Sequence, residues 1–242
     1  MMRYSELLLS KMTLIPLNEE QNICIVGPVK LPVKQEELET TFNWYNWLTV
    51  DKSLTKEEIL LGLNKKNLAF KQQSSVLTYG DFENAEEVYI RFHSICHTGD
   101  IFGSQRCDCG YQLHESMKMV VEHGAGAIFY IANHEGRGIG LFSKSLAYLL
   151  QEEGLDTVEA NEMLGFEDDM RSYEEAIAVL KALRQKPVTL ITNNPKKLQA
   201  LKEKGLLANR HIPLWGGLNE TNRYYLQTKI MKSGHLKEEV IG

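Results

Sequence analysis

Three of the four cysteines constrain this chain most, because Cys96, Cys107 and Cys109 fall within fourteen residues of one another. Such a cluster reflects a metal site, redox chemistry or chance. Thiolates bind zinc well, and three of them with an open fourth position form a catalytic site, whereas a closed structural site needs a fourth protein ligand. His93 and His97 are close enough in sequence to be that ligand. The polar surroundings argue against three thiols buried in an apolar core, so the cluster predicts a metal site of either kind.

Length and composition bound the class of protein. The 242 residues are enough for one large or two small domains with a substantial core. A formal net charge of -5 argues against a broad nucleic-acid surface. No apolar run approaches the roughly 20 residues that span a bilayer, and the apolar patch at residues 7–9 is too short for a secretory signal. We therefore expect a cytoplasmic protein that binds neither nucleic acid nor membrane, with Cys24 as a core residue of an apolar strand.

The first third of the chain shows β-strand character followed by a helical signal. Two prolines and several charges over residues 28–40 indicate turn or edge structure. Residues 41–72 contain Trp44, Tyr45 and Trp47 and then a capping box, Thr55 with Glu58 three positions later. The capping box predicts a helix over 56–63, and we interpret about 41–72 as a helical insert.

Strands and amphipathic helices alternate after residue 74, which indicates an α+β class with an α/β-like core. We expect a mixed sheet with flanking helices, preceded in the chain by an N-terminal β-rich part. We divide the chain into an N-terminal region, 1–74, and a catalytic region, 75–242. Gly80 with Asp81 suits an antiparallel connection between the first two strands of the second region. The polar tail over 219–238 is expected to be helical and loosely held. The predicted strands cover 75–79, 87–93, 127–132 and 188–191, and the predicted helices cover 111–123, 139–153, 173–184 and the segment from Asn194-Pro195.

Two segments around the cysteines resemble the zinc loop of the GTP cyclohydrolase II family: RFHSICHTGD at residues 91–100 and GSQRCDCGYQL at 103–113. Further motifs follow at the family's order and spacing over roughly residues 75–237. These are EGRGIGL at 135–141, AY at 147–148, DTVEAN at 156–161, DMR at 169–171 and TNNPKK at 192–197.

This resemblance implies a GTP cyclohydrolase II-like fold and a defined hydrolysis. One zinc ion would be held by Cys96, Cys107 and Cys109, and its water would attack carbon 8 of the guanine of GTP. Ring opening and a second attack would release formate, and pyrophosphate would leave the triphosphate. The product would be a diaminopyrimidine ribosylamine phosphate of riboflavin biosynthesis. The resemblance also implies a Mg2+ ion with the triphosphate and a homodimer.

The same resemblance assigns roles to individual residues. Tyr148 would donate a hydrogen bond near the reacting base. Asp169 would accept a proton, and Arg171 is described in the family as a nucleophile toward the α-phosphate, although a permanently charged guanidinium is better suited to clamping phosphate. The alternative for Arg171 is a purely structural role, an exposed salt bridge to Glu174 or Glu175. The implied substrate-binding residues are Arg91, His93, Ser94, Gln112, Glu135, Gly136, Arg137, Thr157, Thr192 and Lys197, with Glu135 and Gln112 reading the guanine edge or the ribose.

The chain departs from the family pattern in two places. Ile95 stands where the family has a glutamate before the first cysteine, and the 41–72 insert is longer than the family needs. These departures leave three alternatives: a paralogue acting on a modified guanine nucleotide, a non-catalytic guanine-nucleotide sensor, or a structural zinc protein that joins partners through the insert.

Overall fold

An eight-stranded mixed sheet organises the computed structural model, which describes residues 2–35, 38–217, 219–232 and 234–236. The strand order is β1-β2-β3-β4-β6-β5-β7-β8, antiparallel from β1 to β6 and parallel from β6 to β8. This sheet confirms the predicted α+β class. The strands are β1 Met12–Pro16, β2 Gln21–Gln35, β3 Leu38–Asp51, β4 Ser75–Tyr79, β5 Tyr89–Ser94, β6 Gly126–Ile131, β7 Val188–Ile191 and β8 Leu207–Ile212.

Helices cover both faces of the parallel half of the sheet. Helices α6 and α7 pack on one face, and α3 packs on the other. None of the helices in the described residues is long and apolar enough to cross a membrane. The helices are α1 Met2–Ser10, α2 Lys56–Leu61, α3 Cys109–His123, α4 Leu141–Glu152, α5 Thr157–Met163, α6 Glu174–Leu183, α7 Pro195–Glu203 and α8 Arg223–Met231.

Alternation along the central strands separates the two cores. Successive side chains of a strand point to opposite faces, and Phe129 of β6 joins Leu180 of α6 in one buried cluster. The neighbouring Ile128 joins Met117 and Val120 of α3 in the other cluster. Both faces of β6 are therefore buried, which is typical of strands in the parallel part of a sheet.

The structure corrects the predicted extent of the helical insert. Residues 41–51 belong to β3, whose threonine and aromatic side chains favour a pleated strand. Helix begins only at the capping box, where Thr55 Oγ1 accepts from Glu58 N at 3.2 Å. After α2 only two short 3-10 turns follow, Leu63–Lys65 and Leu68–Phe70.

Residues 28–35 form edge structure, as one of the two predictions for that segment had it. The part of β2 from Val29 onward pairs with β3 alone, because β1 pairs only as far as Val26. Pro28 and Pro32 are tolerated there because an edge strand leaves one row of N–H groups without a ladder partner.

The join between the two predicted regions lies inside the sheet. Strand β4 pairs with β3 on one side and with β6 on the other, so the ladder runs through residue 75 without a break. The expected antiparallel pairing of β4 with β5 is wrong, because β6 lies between them. The parallel arrangement of β5, β6 and β7 instead brings the loops after all three strands to one edge of the sheet, where ligands bind in open α/β sheets.

Candidate active site and metal centre

The three clustered cysteines converge at the end of β5 and the start of α3. The sulfur atoms of Cys96, Cys107 and Cys109 lie within 4.8 Å of one another, and the Sγ atoms of Cys96 and Cys107 are 3.6 Å apart. Hydrogen bonds from the other two thiols lower the pKa of Cys96, which favours a thiolate. Gly99 closes the loop against them, because a Cβ there would lie 3.0 Å from the sulfur of Cys107.

The donor set fits a metal ion with an open position. Among the described residues, no histidine or carboxylate joins the three thiols as a fourth ligand. His93, a candidate for that role, has its Nε2 3.0 Å from Asp100, and the ring of His97 packs edge-on against Phe102. Three thiolates without a fourth protein ligand correspond to the open, catalytic kind of zinc site and not to the closed structural kind.

Asp100 fixes the conformation of the loop that carries Cys96. Its Oδ2 accepts hydrogen bonds from the backbone N of Cys96 at 2.9 Å and from the hydroxyl of Tyr130 at 3.0 Å. The imidazole of His93 contacts the same carboxylate and stacks on Tyr130. These contacts make His93 part of the support of the metal loop, since second-layer hydrogen bonds orient metal ligands.

A buried ion pair stands beside the thiols. Lys144 of α4 places its Nζ 2.5 Å from Glu135 Oε1 and 3.3 Å from the sulfur of Cys96. Burial opposes the charge of Lys144, but the Cys96 thiolate, Tyr148 and Glu135 together raise its pKa. The second carboxylate oxygen of Glu135 accepts from the backbone N of His97 at 2.7 Å. Both oxygens of Glu135 therefore already hold partners, and any guanine contact would share them.

A cleft opens above the thiols. Tyr148 lines it, with its hydroxyl 3.4 Å from Thr98 Oγ1 and its ring 4.5 Å from the guanidinium of Arg106. Ile95, which replaces the family glutamate, lines the same cleft and gives it an apolar wall. The three cysteines line this cleft, as do six other residues predicted for catalysis or substrate binding: Ser94, Glu135, Gly136, Arg137, Thr157 and Arg171.

The turn after β6 is bound to the segment that carries Asp169. Gly136 and Arg137 have φ of 60° and 64°, in the left-handed region that only glycine adopts readily. The Arg137 guanidinium pairs with Asp168, and the Arg137 carbonyl accepts from Met170 N at 3.0 Å. These paired contacts hold the unusual backbone conformation of Arg137 in place.

Arg171 is oriented by a bidentate pair with Asp169. Its Nε and one terminal nitrogen lie 2.7 and 2.9 Å from the two carboxylate oxygens. Burial works against ionisation of Asp169, but the bonds and charge of Arg171 lower the pKa of this carboxyl below its usual range. The alternative, an exposed salt bridge of Arg171 to Glu174 or Glu175, is wrong, since the Arg171 side chain is only 13% exposed and pairs with Asp169.

A second cavity adjoins the first, and several cationic side chains line it. Arg91, Arg171 and Lys197 line it, together with Thr192 and the polar loop after β7. Burial, followed by the charges of Arg91, Arg171 and Lys229, lowers the pKa of Lys197 well below its usual range. Closely spaced cations in a buried cavity form a natural site for a polyanion.

Gln112 lies on the wall of the second cavity and is fully engaged. Its Oε1 accepts from Arg91 at 2.5 Å, and its Nε2 donates to Asp108 Oδ2 and to the carbonyl of Leu214, both at 2.7 Å. The Gln112 amide thus holds Arg91 in position. Its contact with guanine or ribose stays a prediction, and such a contact would replace one of these hydrogen bonds. Asp169 lines neither cavity itself but reaches both through Arg171.

Reasoning from sequence missed several lining residues, among them Asn161, Trp215, Lys229 and His235. The buried Asn161 Nδ2 and Trp215 Nε1 have no hydrogen-bond partner in the described part of the chain, and they line the first and second cavity respectively. Lys229 and His235 line both cavities. Asn161 sat in a recognised motif, Lys229 and His235 lie in the tail that the sequence pattern presented as polar and loosely held, and Trp215 precedes that tail.

Comparison with known proteins places the core of this chain among cyclohydrolases. A profile of the family described as GTP cyclohydrolase II matches residues 64–213. GTP cyclohydrolase-2 of Colwellia psychrerythraea is 47% identical over 165 residues, which are 68% of this chain and 81% of that protein. The riboflavin biosynthesis protein RibBA of Bacillus mycoides is 49% identical over 160 residues, and that of Bacillus cereus strain B4264 matches equally. The alignment covers 66% of this chain but only 40% of each RibBA protein.

Proposed function

This chain belongs to the GTP cyclohydrolase II family, and we propose that it hydrolyses the imidazole ring of the guanine of GTP with release of formate and pyrophosphate. The enzyme is a hydrolase acting on cyclic C–N bonds, and its reaction belongs to riboflavin biosynthesis. One observation carries the proposal: the cleft above the open three-thiol cluster and the cavity lined with cations lie side by side, since Cys109, Arg171 and Lys229 line both.

Cys96, Cys107 and Cys109 would hold the metal, which we propose is zinc. A zinc ion in an open site acts as a Lewis acid and makes water nucleophilic near neutral pH. Around it, Tyr148 and Lys144 supply an O–H and a cationic N–H near the place where the base would lie. The unpartnered amide of Asn161 offers a further donor to the ring of the base.

We propose that Asp169 and Arg171 act on the phosphates. The guanidinium stays charged beside Asp169, and it lines both cavities, so it suits clamping of the α-phosphate better than nucleophilic attack. The low pKa of Asp169 keeps this carboxylate ionised beside Arg171, and it would become a useful proton acceptor only when Arg171 turns from it to the phosphate. Arg91, Thr192 and Lys197 would bind the remaining phosphates, with Mg2+ as their companion. We also propose a cytoplasmic homodimer, by analogy with the family.

Ile95 favours one second candidate, a guanine nucleotide modified on the base. An isoleucine replaces a carboxylate at the wall of the base cleft, so the cleft has lost one acceptor for polar edges and gained an apolar surface. Such a paralogue would keep the phosphate site and change its preference for the base.

The decisive experiment incubates zinc-loaded protein with GTP and Mg2+ and follows formate, pyrophosphate and pyrimidine product together. Equal amounts of formate and pyrophosphate are expected. Pyrophosphate without formate would point to another base as the substrate. GTP that binds without either product would overturn the hydrolase proposal and leave a guanine-nucleotide sensor.

A further inference from the structure

The described residues of the C-terminal segment, 214–217, 219–232 and 234–236, lie beyond the matched residues 64–213 and contribute to the lining of both cavities. Leu226 of α8 is completely buried. Leu236 N donates to the carbonyl of Asn193 at 3.0 Å, which fixes the segment to the loop after β7. His235 bonds to the Lys229 carbonyl through both its backbone N and its Nδ1, each at 3.1 Å. The tail is therefore packed and not loosely held, and residues 237–238 of the predicted helical tail lie outside the described residues.

Lys229 connects this segment to the metal loop. Its side chain is only 12% exposed, and its Nζ lies 2.7 Å from Asp108 Oδ1 and 4.5 Å from the ring centroid of Tyr225. Asp108 stands between two of the metal-site cysteines, and its other oxygen accepts from Gln112. Lys229 thus pairs with the Asp108 carboxylate on the side of the metal loop, and the same lysine also lines the second cavity.

Cationic side chains line the second cavity, and none of its described lining residues is a carboxylate that could neutralise them. These cations are Lys229, Arg91, Arg171 and Lys197. The pKa of His235 is lowered to about 3 by burial, followed by the charges of Lys229, Lys197, Arg171 and Arg137. This clustering is unfavourable in the free protein, and an oligophosphate would relieve it.

Trp215 adds an independent sign of a missing ligand. Its indole Nε1 is buried and has no hydrogen-bond partner in the described residues, and its side chain lines the second cavity. An unpaired buried donor costs free energy unless a ligand or water accepts from it. A phosphate oxygen in this cavity would be such an acceptor.

We propose that Lys229 and Trp215 bind the phosphate chain of the nucleotide, so that the C-terminal segment completes the phosphate site. This inference rests on the proposed function for the identity of the nucleotide. The proposal adds two binding residues from outside the matched region. Phosphate bound to these residues would also hold the C-terminal segment next to the metal loop.

The test uses zinc-loaded full-length protein and two probes, inorganic tripolyphosphate and guanosine, with affinities measured by calorimetry. Because Lys229 also neutralises Asp108, its role is measured in a D108N background, where D108N/K229Q is compared with D108N. We expect the double variant to bind tripolyphosphate about 10- to 100-fold more weakly than D108N, as for loss of a charge-assisted hydrogen bond. W215F should weaken the same binding by a smaller factor, and neither change should alter guanosine affinity.

Lys232 provides the matched control, since it follows the same helix but pairs with Asp156 and Glu159 on the outside. K232Q should leave tripolyphosphate affinity unchanged. Equal tripolyphosphate affinity in D108N and D108N/K229Q, with zinc content and melting temperature retained, would overturn the proposal. Wild-type protein that binds tripolyphosphate through Lys229 but releases no formate from GTP would instead refute the proposed function alone.

Discussion

At the scale of single residues, the metal loop depends on a lysine that belongs to no predicted site. Lys144 lies between the carboxylate of Glu135 and the sulfur of Cys96, and its side chain is only 9% exposed. It therefore balances two negative groups in a region where solvent cannot screen them. The sequence could not reveal this contact, because residues 96, 135 and 144 meet only when β5, the turn after β6 and α4 have folded together.

We predict that Lys144→Met destabilises the protein by about 3–5 kcal/mol, because it leaves a buried carboxylate without its partner. Zinc content should fall as well, since the charge facing the Cys96 thiolate is lost. Urea unfolding and metal analysis measure the two effects. The double variant E135Q/K144M should recover part of the stability, and a double variant no more stable than K144M would show that the pair is not the cause.

Gly99 is the residue where the metal loop has least room. A methyl group there would come within 3.1 Å of the sulfur of Cys96 and 3.0 Å of that of Cys107. We predict that Gly99→Ala lowers zinc affinity by at least about tenfold, because the thiols must move apart. Competition with a chromophoric chelator measures this affinity. Gly103→Ala is the control for a loop glycine with open space around it, although its φ of 65° adds strain, and equal loss in both variants would contradict the steric argument.

At the scale of elements, local signals succeeded where they act within a few residues. The capping box at Thr55 and the asparagine cap of α7 at Asn194 start helices where predicted, because each bond is local. Helix α5 was not predicted although Asp156 and Glu159 form the same kind of capping box at its start, whereas helix α1 and strand β8 carried no comparable signal. The position of β6 between β4 and β5 is likewise invisible locally, since it depends on which strands exchange hydrogen bonds across the sheet.

In the candidate site, too, features local in sequence could be predicted, and contacts between distant segments could not. The cysteine cluster could be inferred because its members are close in sequence, and the resemblance supplied Asp169, Arg171 and Lys197. Their support could not be inferred, because Trp215 and Lys229 approach the cavity only through the packing of the C-terminal segment. The roles of all these residues stay predictions until the variants are measured.

One contact between elements links the N-terminal region to the Asp169 segment. Trp47 Nε1 and Thr49 Oγ1 of β3 each donate to a carboxylate oxygen of Glu175 at 3.0 Å, in the first turn of α6. Helix α6 begins directly after the segment that carries Asp169 and Arg171. Strand β3 therefore fixes the C-terminal end of that segment.

We predict that the double variant W47F/T49V loses about 2–4 kcal/mol of stability, because a partly buried carboxylate loses both donors. Turnover of GTP should fall more than affinity, since the phosphates keep their other contacts while Arg171 loses its fixed position. Thr41→Val, at an exposed site of the same strand, is the control for a threonine change that removes no such bond. Unchanged stability and turnover in W47F/T49V would rule out this link.

At the scale of the whole molecule, the mixed sheet brings the loops after three parallel strands to one edge, and a neutral histidine connects two of these loops. His134 Nε2 donates to the Ser172 carbonyl at 2.8 Å, so its Nδ1 accepts from Ser94 Oγ at 3.1 Å. Arg171 in turn donates to Ser94 Oγ at 3.4 Å. Protonation of the imidazole would turn Nδ1 into a donor and break this chain of bonds.

The stability of the protein should therefore decrease below neutral pH in a way that His134 controls. Burial, opposed by the bond to Ser172, lowers the pKa of His134 to about 3, whereas in the unfolded chain it is about 6.5. Between these values the unfolded chain binds a proton that the folded protein does not, so the stabilising contribution of neutral His134 is fully present above pH 6.5 and falls as the pH drops toward 3.

His134→Gln should flatten the dependence of unfolding free energy on pH by up to about 1.4 kcal/mol per pH unit over this range. Urea unfolding at a series of pH values measures this change. Changes shared with wild type, including loss of metal, cancel in the difference between the two proteins. Identical slopes for wild type and H134Q would mean that His134 titrates alike in both states and does not hold the two loops together.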